Sequence, residues 1–287
     1  MLARDAAARW GLPVPGLLRV GMNALFTAGP DVVIRVGKPT SDPQGAIRLA
    51  GVLSAHGVRT PRFVCDRPVV LGPLAATAIE YHDQAASLSP LDWAEVGAMV
   101  ARVHAVAPSE VDGFYPVPHC STFPWWDLHG LLAEVNDLLD PPARSGLQAA
   151  LHRHAGWYDN WRSPGETGVV LCHGDVHPGN VLVTPDGPML IDWDLLCTGP
   201  TAWDHAPLMT WTQRWGGEAG VYGRFAEGYG RSLRDDPAAE AIAELRLVAA
   251  TLMRVRAGRV DAGAAAEAER RLRWWRSDPG APPWRAA

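Results

Sequence analysis

A short stretch of the chain sets an aspartate, an asparagine five positions on, and a second aspartate after an apolar run. It reads His173-Gly174-Asp175-Val176-His177-Pro178-Gly179-Asn180-Val181-Leu182, followed by Leu190-Ile191-Asp192-Trp193-Asp194. Phosphoryl transfer needs this set of side chains. One carboxylate accepts the proton of an attacking hydroxyl, while a carboxamide and another carboxylate hold Mg²⁺ against nucleotide phosphates. Hard oxygen donors suit a cation that keeps several of its waters. Asp175 is therefore the expected base, and Asn180 and Asp192 are the expected metal ligands. Any one Asp or Asn is more often a turn or cap residue; the three together, flanked by short apolar runs, point to chemistry. A rival reading makes His173-x-Asp175-x-His177 a metal triad, but it leaves Asn180 and Asp192 incidental. Gly37-Lys38-Pro39-Thr40 has the look of a P-loop end, yet the upstream glycine is missing and Pro39 separates Lys38 from Thr40.

Short strands should carry that loop: Val169 to Cys172 before it, Val181 to Val183 after it, and Pro188 to Ile191 beyond the turn Thr184-Pro185-Asp186-Gly187. Upstream, residues 1–10 read as a short helix. Val20 to Ala28 and Asp31 to Gly37 read as strands joined by Gly29-Pro30. Gln44 to His56 reads as a helix with Ile47, Leu49, Val52 and Leu53 at helical spacing, and Arg62 to Cys65 and Ala76 to Tyr81 as two more strands. Residues 1–82 thus form a strand-rich unit with one long helix. After His82 the pattern turns helical. Helices are expected over Pro90 to Val106 (opened by Ser89-Pro90), Leu128 to Leu139 (stopped by Asp140-Pro141-Pro142) and Leu147 to Trp161, and from Ala202 to about Trp275 with a break at Arg234 to Pro237.

The catalytic segment and Leu190-Ile191-Asp192-Trp193-Asp194 resemble the aminoglycoside phosphotransferase and choline kinase-like family, relatives of the protein kinases with the same Asp-x-x-x-x-Asn spacing. Gly199-Pro200-x-x-x-Asp204, Val100-Ala101-Arg102-Val103-His104-Ala105 and Gly57-Val58-x-x-Pro61 match that family too, so the resemblance runs over roughly residues 15–210. It implies a bilobal, protein-kinase-like α+β fold. Residues 1–82 would be a small antiparallel-sheet nucleotide-binding lobe with one long helix, and 83–287 a larger, mainly helical catalytic and substrate-binding lobe. It implies Mg²⁺ and a nucleoside triphosphate in the cleft, ATP with GTP left open. Arg35 would take the place of the strand cation that binds phosphate, with Lys38 as its competitor, and Gly21-Met22-Asn23 would be the phosphate-covering turn. Backbone groups of Glu80, Tyr81 and His82 would face the adenine. His173 would orient the loop, and Asp204 would cap a helix or brace the loop. Ala46 stands where the family offers a glutamate to the strand cation.

Composition bounds the partners. The 287 residues are 47% hydrophobic and 20% charged, as in a globular protein. Residues 1–82 carry nine Lys/Arg against five Asp/Glu, residues 83–245 eight against 22, and residues 246–287 nine against four. An acidic middle between basic ends argues against nucleic acid. No apolar run reaches membrane-span length, the amino terminus lacks a signal-peptide core, and the four cysteines form no C-x-x-C pair, so a cytoplasmic protein with reduced thiols is expected. A monomer or weak dimer is expected.

Eight of the 13 tryptophans fall between Trp125 and Trp215. Core packing accounts for many of them. Rings beside carboxylates also suit a cationic ligand, so Trp126, Asp127, Asp194, Trp203, Trp211, Trp215 and Glu218 are the expected substrate contacts. The expected acceptor is the hydroxyl of a cationic antibiotic, an aminoglycoside or a basic cyclic peptide of the tuberactinomycin type. A small-alcohol kinase of the choline type and a non-catalytic binding module are the alternatives.

Overall fold

The computed structural model describes residues 2–21, 23–39, 41–82, 90–160 and 168–285. Helix α1 (Leu2–Trp10) precedes strands β1 (Gly16–Val20), β2 (Ala24–Thr27) and β3 (Val32–Gly37). Helix α2 (Pro43–Ala55) and strands β4 (Val69–Leu71) and β5 (Leu74–Glu80) follow. The strands form one antiparallel sheet in the order β1-β2-β3-β5-β4. Buried Leu2, Ala3, Ala6 and Ala7 of α1 pack on Ile34, Ala76 and Ala78 of this sheet to form a small separate core.

Helix α2 begins where Asp42 accepts a hydrogen bond from Gln44 N (3.1 Å) and Pro43 takes the first helical position. Its Leu49 and Leu53, with Val58 beyond it, pack into the larger core rather than the sheet's own. Burying each leucine is worth about 1.5–3 kcal/mol, so α2 is anchored to the helical body.

That body contains α3 (Pro90–Ala105), α4 (Leu128–Glu134), α5 (Pro141–Arg153), α6 (Ala155–Asn160), α7 (Ala202–Trp215), α8 (Val221–Tyr229), α9 (Pro237–Ala257) and α10 (Ala262–Trp275). Helices α3 and α8 touch backbone to backbone: a Cβ on Gly97 would fall 2.0 Å from Phe225 O, and one on Gly228 would fall 1.7 Å from Ala94 O. Two glycines thus permit the contact that brings His104 of α3 to Tyr229 of α8. Two small antiparallel ribbons lie in this body. Strands β6 (Val169–Cys172) and β9 (Cys197–Pro200) form one, and β7 (Val181–Thr184) and β8 (Gly187–Leu190) form the other. Among the described residues no helix is long and apolar enough to cross a membrane.

Several expected elements shift. Arg62 to Cys65 holds only an isolated bridge at Phe63, and the strand lies further on at Val69–Leu71. Asp140-Pro141-Pro142 starts a helix instead of stopping one: Asp140 accepts from Ala143 N (3.0 Å), and Pro141 sits at the first position of α5. The α4 region ends at Glu134, with a short 3-10 turn over Asn136–Leu138. The expected cap Ser89, and the turn residue Met22, lie outside the described residues.

Candidate active site

The catalytic stretch leaves β6, crosses a short 3-10 turn at Pro178–Asn180, runs through the β7–β8 hairpin, and returns along β9 to pair with β6. The ends of the two ribbons therefore bring Asp175, Asn180 and Asp192 to one place. Gly174 has φ +93°, and a Cβ there would lie 1.9 Å from Leu195 O, so the loop closes only with glycine.

Asp204, in the first turn of α7, is fully buried and braces the loop. Its carboxylate accepts from His173 N and Gly174 N (both 2.8 Å) and from His104 Nε2 (3.1 Å). His104 Nδ1 in turn pairs with the Tyr229 hydroxyl (2.9 Å). Burial by itself would raise the Asp204 pKa, but the His104 hydrogen bond and the neighbouring histidines hold it below the ordinary value. Of the cap and brace roles the resemblance implied, the brace is the one observed. His173 is also fully buried; Nε2 donates to Ile191 O (3.0 Å), Nδ1 accepts from Asp175 N (3.3 Å), and the ring lies 4.5 Å from that of Trp193. Burial keeps it neutral by lowering its pKa. It ties the Asp175 loop to the chain just before Asp192.

Asp175 is partly exposed. Oδ1 accepts from Arg246 Nη2 (3.1 Å), and Oδ2 lies 3.4 Å from His177 Nε2. Asn180 Nδ2 donates to the Asp175 carbonyl (2.9 Å) and lies 3.5 Å from Oδ2. Burial pushes the carboxyl up, but the His177 hydrogen bond and the Arg246 charge outweigh it, so its pKa falls below the usual range. Asp192 goes the other way: burial first, then the charge of Asp194, raises it, against the smaller pull of Arg35 and His173. Its backbone is left-handed, φ 66° and ψ 67°, a conformation that for a non-glycine residue costs about 1–3 kcal/mol and gathers at functional sites. A strained carboxylate among like charges, next to a carboxamide whose nitrogen is already engaged, offers the oxygen donors that a hard divalent cation takes.

Arg35, on β3, reaches across to Asp194 Oδ2 (2.5 Å). With its carboxamide turned oxygen-inward, Asn23 accepts from Arg35 Nη2 (2.7 Å) and Nε (3.1 Å). Arg35, Asn23 and Asp194 face a cleft that is also lined by Ala46, Thr77 and Tyr115. Lys38 is exposed beyond the strand end. The strand cation therefore finds its carboxylate after Asp192 instead of on α2, where Ala46 stands. Asp194, expected among the substrate contacts, has its carboxylate held by Arg35 in this cleft. At the sheet edge, Glu80 N donates to Arg62 O (3.0 Å) and Tyr81 N to Asp31 O (2.9 Å). The Glu80 side chain binds Arg62 Nε (2.6 Å) and lies 3.3 Å from His82 Nε2. These two amides are thus engaged, one by the residue before the isolated bridge at Phe63 and the other by the residue before β3.

The expected substrate contacts divide. Trp126 and Trp203 are fully buried, their rings 4.7 Å apart, and belong to the core. Asp127 caps α4, accepting from Gly130 N (3.2 Å). Trp211 and Trp215 are half-buried and stack on each other at 5.8 Å, and Trp211 also stacks on His177 at 6.2 Å. Exposed Glu218 follows α7, its carbonyl accepting from the Thr212 hydroxyl (2.8 Å). Of the residues around Asp175, Arg246 had no sequence signal, while His177 stood in the sequence only as part of a metal triad and Trp125 only as one of the clustered tryptophans. Trp125 is only partly buried, stacks on Phe123 at 5.4 Å, and lies under the Arg246 guanidinium.

Residues 27–245 match the family model described as the phosphotransferase enzyme family, APH. No curated protein sequence matches the chain. Among solved structures, the GDP and kanamycin complex of APH(2")-IIia is similar at TM-score 0.73 and 16% identity, covering 97% of this chain and 98% of that one. Spectinomycin phosphotransferase, APH(9)-Ia, in complex with ADP and spectinomycin, is similar at TM-score 0.66 and 16% identity, covering 92% and 89%. Macrolide 2'-phosphotransferase MphH from Brachybacterium faecium is similar at TM-score 0.62 and 19% identity, covering 99% of each chain. At these identities the likeness is one of fold.

Proposed function

Because the chain belongs to the APH phosphotransferase enzyme family, we propose that it moves the terminal phosphoryl group of a nucleoside triphosphate onto a hydroxyl of an antibiotic. The observation that carries this reading is geometric: Asn180 reaches the carbonyl and the Oδ2 of Asp175, its own carbonyl accepts from Ile191 N (3.0 Å), and the left-handed backbone of Asp192 follows directly, so the three side chains converge at the ends of the two ribbons.

Asp175 Oδ2 accepts the proton of the acceptor hydroxyl as its oxygen attacks phosphorus. Asn180 and Asp192 would hold the metal. When bound there, Mg²⁺ neutralises and aligns the phosphates. Arg35 and Asn23 contact phosphate oxygens from the sheet side, a guanidinium being suited to bidentate binding. Catalysis in this reaction is mainly positioning and charge neutralisation, which fits a loop braced from three sides by Asp204, His173 and Gly174.

The acceptor is read as an antibiotic because neighbours of like fold are described in complex with spectinomycin or kanamycin, and one is named a macrolide phosphotransferase. Of the seven contacts expected for a cationic acceptor, we retain Trp211, Trp215 and Glu218. The two rings continue a stack that starts at His177, and the Arg271 guanidinium lies 4.8 Å from the Trp215 ring centre, so we assign to a cationic acceptor the half-buried margin of this stack and the exposed Glu218. Both cationic classes, an aminoglycoside and a basic cyclic peptide of the tuberactinomycin type, fit such a margin. The test is incubation with ATP and Mg²⁺ plus kanamycin, a tuberactinomycin-type peptide or choline, read by mass. The expected result is one added phosphoryl group on kanamycin or on the peptide. Labelling of choline alone would overturn the antibiotic reading.

A further inference from the structure

We infer that Arg246 is the positioning residue of the general base, a role that rests on the reading of Asp175 given above. Arg246 comes from α9, 71 residues beyond Asp175 in sequence. Its side chain is only 12% exposed. Nη1 donates to the Gly174 carbonyl (3.0 Å) and Nη2 to Asp175 Oδ1 (3.1 Å). The guanidinium carbon lies 4.8 Å from the centre of the Trp203 ring and 5.5 Å from that of Trp125. A cation held over two aromatic faces keeps its place with little freedom.

The two oxygens of the base are therefore unequal. Oδ1 is engaged by a fixed charged donor. Oδ2 has longer contacts, 3.4 Å to His177 Nε2 and 3.5 Å to Asn180 Nδ2, and is the oxygen open to an incoming hydroxyl. Gly174 is held at both ends, its N–H by Asp204 of α7 and its carbonyl by Arg246 of α9. One guanidinium fork makes both the carbonyl and the carboxylate contact; an ammonium offers a single point charge and no fork. Trp203, expected on the acceptor wall, instead forms part of the platform beneath Arg246.

The test compares wild type, Arg246→Lys and Arg246→Ala on the acceptor that the mass screen identifies, with folding followed by circular dichroism and Tm. Displacing a base by about an ångström can lower turnover on the order of 100-fold. Arg246→Ala is expected to lose kcat by roughly that factor, and Arg246→Lys by roughly tenfold, with nucleotide KM little changed. Millimolar methylguanidinium should restore part of the Arg246→Ala rate and leave wild type and Arg246→Lys unchanged. The inference fails if Arg246→Lys turns over like wild type, or if the Arg246→Ala loss follows the folded fraction and methylguanidinium restores none of it. If wild type labels no acceptor, the reading of function fails. The same ratios are then read on ATP hydrolysis, where water takes the place of the hydroxyl, and equal rates in wild type and Arg246→Lys overturn the role of Arg246 separately.

Discussion

Asp175→Asn is expected to lower kcat by ~100-fold or more while nucleotide affinity stays within about twofold of wild type, since removing a general base acts first on the chemical step. A 100-fold loss corresponds to about 2.7 kcal/mol of transition-state stabilisation. The substitution keeps the shape of the side chain, so an oxygen can still accept from Arg246 while the proton acceptor is gone. Nucleotide binding is assigned to other groups, namely Asn180, Asp192, Arg35 and Asn23, and should survive. Steady-state kinetics with isothermal titration of MgATP separates the two effects. A variant that keeps more than a tenth of wild-type kcat would remove Asp175 from the role of base.

Asp204→Ala is expected to act on the fold as much as on the rate. Three donors converge on a carboxylate with no exposure: two backbone N–H groups at 2.8 Å and His104 at 3.1 Å. Removing it leaves buried, unpaired amides and a histidine without its acceptor. Breaking a buried charged arrangement of this kind costs about 3–5 kcal/mol. For a chain of this size that lowers Tm by roughly 10 °C. Turnover should fall with it, because His173 and Gly174 lead directly into Asp175. Calorimetry of Asp204→Ala beside Asp175→Asn distinguishes brace from base: the first should lose stability and activity, the second activity alone. An Asp204→Ala protein with the wild-type midpoint would mean that the loop is held by other contacts.

The three oxygen-bearing side chains of the site were legible because their information is local. A loop between two ribbons needs a fixed number of residues to bring Asp175 and Asn180 together, and that spacing survives in the primary sequence. Features set by distant packing were not legible. Nothing in Trp125-Trp126 says which ring turns inward; the helix that follows buries Trp126 and leaves Trp125 partly open. Arg246 and Asp175 are 71 residues apart, and Arg35 and Asp194 are 159 apart, so no spacing could pair them. Strand β1 is exposed at every residue, which removes the alternation of buried and exposed positions by which a strand is recognised. Strand β9 ends in Gly199-Pro200, residues that read as a turn, and its pairing with β6 is what makes it a strand. Asp140-Pro141-Pro142 was ambiguous in kind: the same residues can end one helix or open the next.

The account depends most on a single metal–triphosphate complex shared by residues 175, 180 and 192. The direct measurement is a crystal structure of the protein with a non-hydrolysable ATP analogue and Mg²⁺. The predicted result has Asn180 Oδ1 and an Asp192 oxygen on the ion at about 2.0–2.1 Å, with the γ-phosphate lying between the ion and Asp175. A nucleotide bound with its metal on other residues, or with its γ-phosphate turned away from Asp175, would contradict the account.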